Sequence, residues 1–134
     1  MVCVTKMTET NFFIDSSAWL GYLLGNLPET KAVIESHENT LFTSILTIHE
    51  AYKRLKKIGK EPSKAIIFIE ENSIIINITK ATAIRAAENC EKHSLHTIDS
   101  LIYTSAEETN ATFITADNDF DKLPNTKILR ERLK

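Results

Sequence analysis

Short apolar runs alternate with longer segments of helical periodicity along the chain. The apolar runs predict strands over Asn11–Ile14, 41–43, 73–78 and Thr112–Thr115, with a last edge strand over 127–129. Each run is continuously apolar rather than alternating, which is typical of a parallel sheet covered on both faces. The three isoleucines at 74–76 therefore predict a buried strand.

Helices are predicted between the strands, over residues 17–24, 28–37, 44–58, 62–71, 80–93 and 97–109. Ser44 is suited to cap a helix, Pro28 and Pro62 to open one, and Gly59 to end one. Because strands and helices alternate, we expect the strands to pair in parallel. The predicted fold is α/β: a three-layer α/β/α domain with a central parallel sheet of four or five strands.

The length of 134 residues suits one domain. We expect this domain to cover residues 11–134, after an N-terminal extension, residues 1–10, that need not be ordered. The apolar runs are too short to span a bilayer, so we expect no membrane association. Cys3 and Cys90 lie far apart without a CxxC motif, which favours a reducing, cytoplasmic location.

The charge balance limits how the chain could bind a polyanion. Lysine and arginine number 16 and aspartate and glutamate 18, so the formal net charge is −2, and nucleic acid would have to meet a local basic patch. One candidate patch lies on the third predicted helix, where Lys53, Arg54 and Lys57 are followed by Lys60 and Lys64. The three glycines form neither GxGxxG nor GxxxxGK[ST], which excludes both common glycine-rich phosphate loops.

Four acidic residues stand where the predicted fold would bring them together. Asp15 directly follows the first strand and Asp117 follows the fourth, and ligands of open parallel sheets bind beyond the carboxyl ends of the strands. Asp99 begins the helix that leads into the fourth strand, and Glu50 lies on the third helix. Taken singly, the aspartates also fit helix starts or turns.

The place of Glu50 on its helix allows two interpretations. The apolar side chains that predict the core face of this helix share one stripe: Ile48, Tyr52, Leu55 and Ile58. Glu50 falls on the far side, near the basic patch. It could pair with Arg54, four residues on, as part of a solvated face. It could instead be a carboxylate for a metal, bordered by cations for phosphates, which is the arrangement that a nuclease needs.

Four carboxylates in one cleft cannot all ionise unaided, because like charges raise each other's pKa values. A hard divalent cation, Mg²⁺ or Mn²⁺, removes that conflict and also binds phosphate oxygens. We expect Asp15, Asp99 and Asp117 to be its ligands, and Glu50 to orient the attacking water or to bind a second ion. Three hydroxyls are expected to hold the carboxylates in place: those of Ser16, Ser17 and Thr115.

Three segments carry these acidic residues: FFIDSSAWL, TSILTIHEAYKRL and HTIDSLIYTSAEETNATFITADNDF. Together they resemble the PIN-domain ribonucleases, and among these the VapC-type toxins of toxin–antitoxin pairs. The resemblance implies that Asp15, Glu50, Asp99 and Asp117 are the acidic quartet of that family, while Asp119 matches a position that is acidic in only some members. It also implies a Mg²⁺- or Mn²⁺-dependent endoribonuclease, the toxin of a type II pair with a protein antitoxin as its partner.

Alternative functions remain open at this point. The chain could be an RNA-processing or structure-specific PIN nuclease outside a toxin–antitoxin pair, or a non-catalytic PIN-like protein that binds RNA or a partner. A phosphoaspartyl phosphatase of the haloacid-dehalogenase type also places an aspartate after its first strand. That class needs a second aspartate two residues further on, and here the position is Ser17.

The helix over residues 17–24 raises the question of a partner surface. Its apolar residues, Trp19, Leu20, Tyr22, Leu23 and Leu24, point to nearly every side, whereas a sheet covers only one. The helix that begins at Pro28 could cover a second side. The resemblance favours another surface, since VapC-type proteins are commonly homodimers that accept an antitoxin segment near this helix, and we therefore expect a homodimer.

Overall fold

A parallel sheet forms the centre of the molecule. The structure is a computed structural model and describes residues 10–130. Its strands are β1 (Asn11–Ile14), β2 (Thr40–Ser44), β3 (Ile74–Ile76), β4 (Thr112–Thr115) and β5 (Thr126–Ile128). All neighbours pair in parallel, in the order β3-β2-β1-β4-β5. The predicted α/β fold with four or five parallel strands is confirmed. The predicted extension lies, apart from Thr10, outside the described residues.

Six helices connect the described strands: α1 (Ser16–Leu24), α2 (Glu29–Glu35), α3 (Ile45–Lys57), α4 (Ser63–Asn72), α5 (Lys80–His93) and α6 (Thr97–Glu108). Local signals fix several of their ends. The Ser44 side chain accepts a hydrogen bond from the Leu46 N–H and caps α3. Gly25, at φ +78°, ends α1 in the left-handed conformation that glycine adopts at little cost. None of the described helices is long and apolar enough to cross a bilayer.

Successive residues of the central strand feed two separate hydrophobic cores. Ile14 belongs to the core on the side of α1 to α4, which includes Trp19 and Ile69. Phe13 belongs to the opposite core, which includes Tyr103 of α6 and Phe113 of β4. Because side chains alternate along a strand, a continuously apolar run such as 11–14 is what a sheet with helices on both faces requires.

The largest apolar side chain of α1, Trp19, is covered within the chain, whereas Leu24 at the end of the helix is 40% exposed. Trp19 is fully buried, its ring lies edge-on to Phe68 of α4 at 6.1 Å, and its Nε1 donates to Thr43 Oγ1. Tyr22, one turn further along α1, stacks against the same Phe68. Trp19 therefore gives no support to a partner surface, because Phe68 of α4 covers it. A homodimer remains a proposal that rests on the resemblance.

Two other predicted faces are only partly correct: of the predicted stripe of α3, Leu55 is buried and Ile48 packs against the core. The buried stripe of α3 runs through Thr47, Ala51 and Leu55, whereas Tyr52 is 47% exposed and Ile58 56% exposed. Small side chains at the buried positions let α3 pack closely, and a reading that weights large apolar residues misses them. The strand over 74–76 is half-exposed rather than buried, with Ile74 52% exposed, because β3 is an edge strand.

Candidate active site

The candidate site lies where the strand order reverses. The chain runs outward from β1 to β2 and β3 and then returns to place β4 on the other side of β1. Ligands of open parallel sheets bind in the crevice that such a reversal opens beyond the carboxyl ends of the strands. Asp15 directly follows β1 and Asp117 follows β4 by two residues, so both predicted carboxylates border this crevice.

Asp15 is held rigidly by two hydroxyl groups. Thr115 Oγ1 donates to Asp15 Oδ2 at 2.7 Å, and Ser17 Oγ donates to the same oxygen at 3.1 Å. The residue is only 4% exposed. Burial raises the pKa of Asp15 to about 6, the neighbouring Glu50 charge adds to this, and the Thr115 hydrogen bond opposes it. Asp15 is therefore a pre-positioned carboxylate that gains from the approach of a cation.

The same two hydroxyls connect Asp15 to the chain that leads to Asp117. The Asp117 N–H donates to Thr115 Oγ1 at 3.0 Å, and the Ala116 N–H donates to Ser17 Oγ at 2.8 Å. The ends of β1 and β4 are thus joined through side chains as well as through the sheet. Ser17 and Thr115 thus each contact the Asp15 carboxylate and the backbone that leads to Asp117.

Three carboxylates approach one another most closely. One oxygen each from Asp99, Asp117 and Asp119 lies within 4.8 Å of the others, and the Asp119 N–H donates to Asp117 Oδ1. Burial raises the pKa of Asp99 to about 6, with further contributions from Asp117, Asp119 and Glu50. The structure therefore adds Asp119, whose role the sequence left undecided, to the centre of the acidic group.

His96 is a neighbour of this cluster that the sequence analysis did not single out. It is the residue before α6 and stands three positions ahead of Asp99. Its charge lowers the pKa of Asp99 and so opposes the effect of the acidic neighbours. The sequence signal for this contact was the spacing of His96 and Asp99, three residues apart at the start of a helix, because the first turn brings such positions near each other.

Glu50 lies between the two groups. Ser16 Oγ donates to Glu50 Oε1 at 2.8 Å, and the Glu50 charge contributes to the raised pKa of both Asp15 and Asp99. Among residues 10–130, Glu50 forms no ion pair with Arg54, so the interpretation as a solvated surface pair does not hold. Because α3 packs through Thr47, Ala51 and Leu55, Glu50 lies at the edge of its buried face and reaches the site.

The three predicted basic residues are all exposed. Arg54 lines a pocket that also contains Asp117. Lys53 borders a separate, shallow depression with Tyr52 and Lys56. Lys57 lies seven residues after Glu50, which places it on the same side of α3. The basic patch is therefore continuous with the acidic group at Arg54.

The donor set fits a divalent metal ion. It consists of carboxylate oxygens, the ligands that Mg²⁺ and Mn²⁺ prefer. No lysine or arginine within residues 10–130 forms an ion pair with any of the five carboxylates. Asp99, Asp117 and Asp119 are the group whose oxygens are close enough to share one ion, with Asp15 and Glu50 beside them.

Asp15→Asn is expected to raise the free energy of unfolding of the metal-free protein at neutral pH by about 2–3 kcal/mol. Burial raises the pKa of Asp15 from 3.8 to about 6, so the folded state binds this proton more tightly than the unfolded chain does. Wild-type stability should therefore fall as the pH rises from about 4 to 6. Asparagine keeps an oxygen for the Ser17 and Thr115 donors and carries no charge.

Urea unfolding in EDTA at pH 5 and pH 7.5 measures this difference. The matched control is Asp121→Asn, which changes an exposed aspartate outside the acidic group and should leave stability unchanged. The same loss of stability with rising pH in Asp15→Asn and in the wild type would contradict the assignment of this effect to Asp15.

Solved structures of other proteins share this fold. A toxin–antitoxin complex from Klebsiella pneumoniae matches with a TM-score of 0.71 at 22% identity, over 86% of this chain and 94% of that one. VapBC2 from Rickettsia felis, bound to a DNA fragment from its promoter, matches with a TM-score of 0.68 at 18% identity, over 89% of this chain and 98% of that one. VapC20 of Mycobacterium tuberculosis, a toxin that cleaves the sarcin–ricin loop, matches with a TM-score of 0.66 at 15% identity, over 88% of this chain and 98% of that one. At these identities the likeness shows the fold alone.

A comparison with curated proteins finds no match. The family model of the PIN domain does match, over residues 12–125. This range runs from the second residue of β1 to the residue before β5, and it holds all five carboxylates and the three hydroxyls that surround them. The sequence match and the crevice of carboxylates at the strand reversal agree, and the chain belongs to the PIN domain family.

Proposed function

We propose that this protein is a metal-dependent endoribonuclease and the toxin of a type II toxin–antitoxin pair. The observation that carries the nuclease is the group of five carboxylates at the reversal point of the sheet, three of them with oxygens within 4.8 Å of one another and two with a pKa raised to about 6. Neutral or basic surroundings would instead be expected if this crevice only bound an RNA backbone, because bare carboxylates repel phosphates. Support for the toxin comes from fold neighbours that are toxins or toxin–antitoxin complexes.

The side chains of the site have distinct tasks in this proposal. Asp99, Asp117 and Asp119 hold the ion, and Asp15 completes the acidic wall in a fixed orientation. A bound Mg²⁺ or Mn²⁺ would neutralise the carboxylates, polarise the scissile phosphate and make a water more acidic. Glu50 is fixed through Oε1 by Ser16, while its Oε2 accepts no hydrogen bond within residues 10–130. Oε2 can therefore accept a proton from the attacking water.

Cleavage of single-stranded RNA in Mg²⁺ buffer tests the nuclease. We expect EDTA to abolish cleavage and added Mg²⁺ or Mn²⁺ to restore it. The products should carry 3′-hydroxyl and 5′-phosphate ends, because water and not the ribose 2′-hydroxyl attacks the phosphorus. Products with 2′,3′-cyclic phosphate ends, or full activity in EDTA, would refute the mechanism.

The toxin assignment is tested in cells. Induced expression of the wild type should arrest growth, and Asp99→Asn should not. If a small protein is encoded beside this gene, its co-expression should restore growth by forming a complex with the toxin. Cleavage of RNA in vitro without growth arrest would instead support an RNA-processing role.

Lys57→Ala is expected to weaken RNA binding and to reduce the slope of log affinity against log salt by about 0.7, the value for one phosphate contact on a single strand. Binding is measured with the non-cleaving Asp99→Asn variant as background. Lys31→Ala removes an exposed lysine on α2 and serves as the control. Equal slopes for Lys57→Ala and Lys31→Ala would remove Lys57 from the RNA-binding surface.

A further inference from the structure

A cavity of about 480 Å³ opens directly beside the acidic group. Its apolar part comes from α1, the end of α3 and the chain after β5, and includes Leu24, Leu27, Ile58 and Leu129. Leu27 and Leu129 are buried and form its floor, whereas Leu24 and Ile58 are 40% and 56% exposed at its opening. Its volume lies within the range of about 300–1,000 Å³ that is typical of small-ligand sites. We call this cavity the arginine-rimmed pocket.

The arginine-rimmed pocket is continuous with the candidate active site. Ser17, which donates to Asp15, and Asp117, which belongs to the acidic cluster, both line it. A molecule that enters the pocket is therefore adjacent to the phosphate that the carboxylates and their metal ion would hold. The pocket does not contain Asp15, Glu50 or Asp99, so it adds a surface that the acidic group does not provide.

Two positively charged side chains line this pocket, although it lies next to five carboxylates. Arg54 and Arg130 both line it, both are exposed, and neither forms an ion pair within residues 10–130. Asn26 and Asn118 add amide groups that can donate and accept hydrogen bonds. Apolar walls, amide groups and guanidinium groups together match a flat heterocycle that is attached to phosphate.

We propose, on the basis of the nuclease function above, that the arginine-rimmed pocket binds the base of an unpaired nucleotide next to the scissile phosphodiester. The apolar walls cover the base, the amides of Asn26 and Asn118 contact its edge, and Arg54 and Arg130 meet the neighbouring phosphates. A base enters such a cavity only after it leaves a stack or a helix, so the substrate is a single-stranded or looped RNA. The two arginines disfavour the other class of occupant, a basic side chain of a protein partner.

Nucleoside monophosphates are the probe for this proposal, because they carry one base and one phosphate and contain no phosphodiester bond for a nuclease to cleave. Methyl NMR titrations of the full chain in Mg²⁺ buffer compare the four monophosphates with their nucleosides and with ribose 5-phosphate. We expect at least one monophosphate to shift the methyl signals of Leu24, Ile58 and Leu129. We expect it to bind at least about tenfold more tightly than ribose 5-phosphate, because only the base buries the apolar walls.

Variants of the opening separate the contribution of the base from that of the phosphate. Ile58→Asn should weaken the monophosphate about fivefold or more, while Ile67→Asn, at a matched exposure of 51% on α4, should not change it. Arg54→Gln and Arg130→Gln should reduce the affinity for the monophosphate to that for the nucleoside. Urea unfolding of each variant verifies that the fold is retained.

Three results would overturn the proposal: no binding of any monophosphate, equal binding of ribose 5-phosphate, and methyl shifts caused by N-acetyl-leucine but not by nucleotides. The last would assign the pocket to a peptide side chain. RNA cleavage is measured in parallel, so that the two proposals fail separately. Monophosphate binding without any cleavage leaves a nucleotide site and removes the nuclease, whereas Asp99-dependent cleavage without such binding removes only the base pocket.

Discussion

Asp99→Asn is expected to lower RNA cleavage by at least about a hundredfold. Loss of a residue that only hydrogen-bonds to a metal ligand already lowers activity by about 10- to 100-fold, and Asp99 is proposed as a ligand itself. The asparagine is nearly isosteric but replaces one of the two carboxylate oxygens by an amide nitrogen, in a group of three side chains whose oxygens lie within 4.8 Å. It also removes the negative charge of Asp99, which is repelled by the charges of Asp117, Asp119 and Glu50. Both changes should weaken binding of Mn²⁺, which calorimetry measures directly and independently of any RNA.

The fold of this variant should persist, because Asp99 lies in the first turn of α6 and is not part of either hydrophobic core. In EDTA its free energy of unfolding should equal or exceed that of the wild type, since a repelled carboxylate has been neutralised. Asp121→Asn is again the matched control and should retain full activity. Unchanged Mn²⁺ affinity in Asp99→Asn would remove Asp99 from the set of metal ligands.

Trp19→Ala is expected to have the largest effect on stability, a loss of about 3–5 kcal/mol in the free energy of unfolding. The indole is fully buried, contacts Phe68 edge-on and donates to Thr43 Oγ1. Deleting it leaves a cavity between α1 and α4 and removes one of the two hydrogen-bond partners of the buried Thr43 hydroxyl. Equilibrium urea unfolding in the presence of EDTA measures the loss.

A loss of this size can unfold a marginal domain, so a milder variant is needed beside it. Trp19→Phe keeps most of the buried area and removes the Nε1 hydrogen bond, and it should cost about 1–3 kcal/mol. Ile67→Ala, at an exposed position of α4, is the control and should stay within about 0.5 kcal/mol of the wild type. A small effect of Trp19→Ala in the monomer would mean that the residue is covered by a second copy and not by Phe68.

The boundaries of the elements could be predicted well because local chemistry sets them. Lys80–His93 and Asn11–Ile14 have the predicted limits, and the predicted cap at Ser44 makes its hydrogen bond. Asp117, a residue type suited to turns, accepts a hydrogen bond from the Asp119 N–H at the start of a short 3-10 helix, Asn118–Phe120. Each of these features depends on residues within a few positions of one another, which the sequence displays directly.

What could not be predicted depends on which elements become neighbours. The cover that Phe68 gives to Trp19 depends on the path of α4, and the buried face of α3 depends on small residues that carry little hydrophobic signal. The grouping of the acidic residues depends on loop geometry: Asp119 joins Asp99 and Asp117 because a turn of the backbone brings its carboxylate back. The arginine-rimmed pocket is formed by four separate segments, and no single stretch of sequence contains a signal for it.

The pairing of β1 with β4 has a consequence for how the protein becomes active during its synthesis. Phe13 lies opposite Phe113, and the hydrogen bond from Thr115 to Asp15 spans 100 residues of sequence. Pairings between such distant residues form late, because the entropy of closing a long loop must be overcome before the contact contributes. A growing chain therefore carries Asp15 and Glu50 before it carries Asp99, Asp117 and Asp119. We expect such a chain to be harmless to the RNA of the ribosome that makes it, and to acquire activity only when the segment from Asp99 to Asp119 has been made and folded.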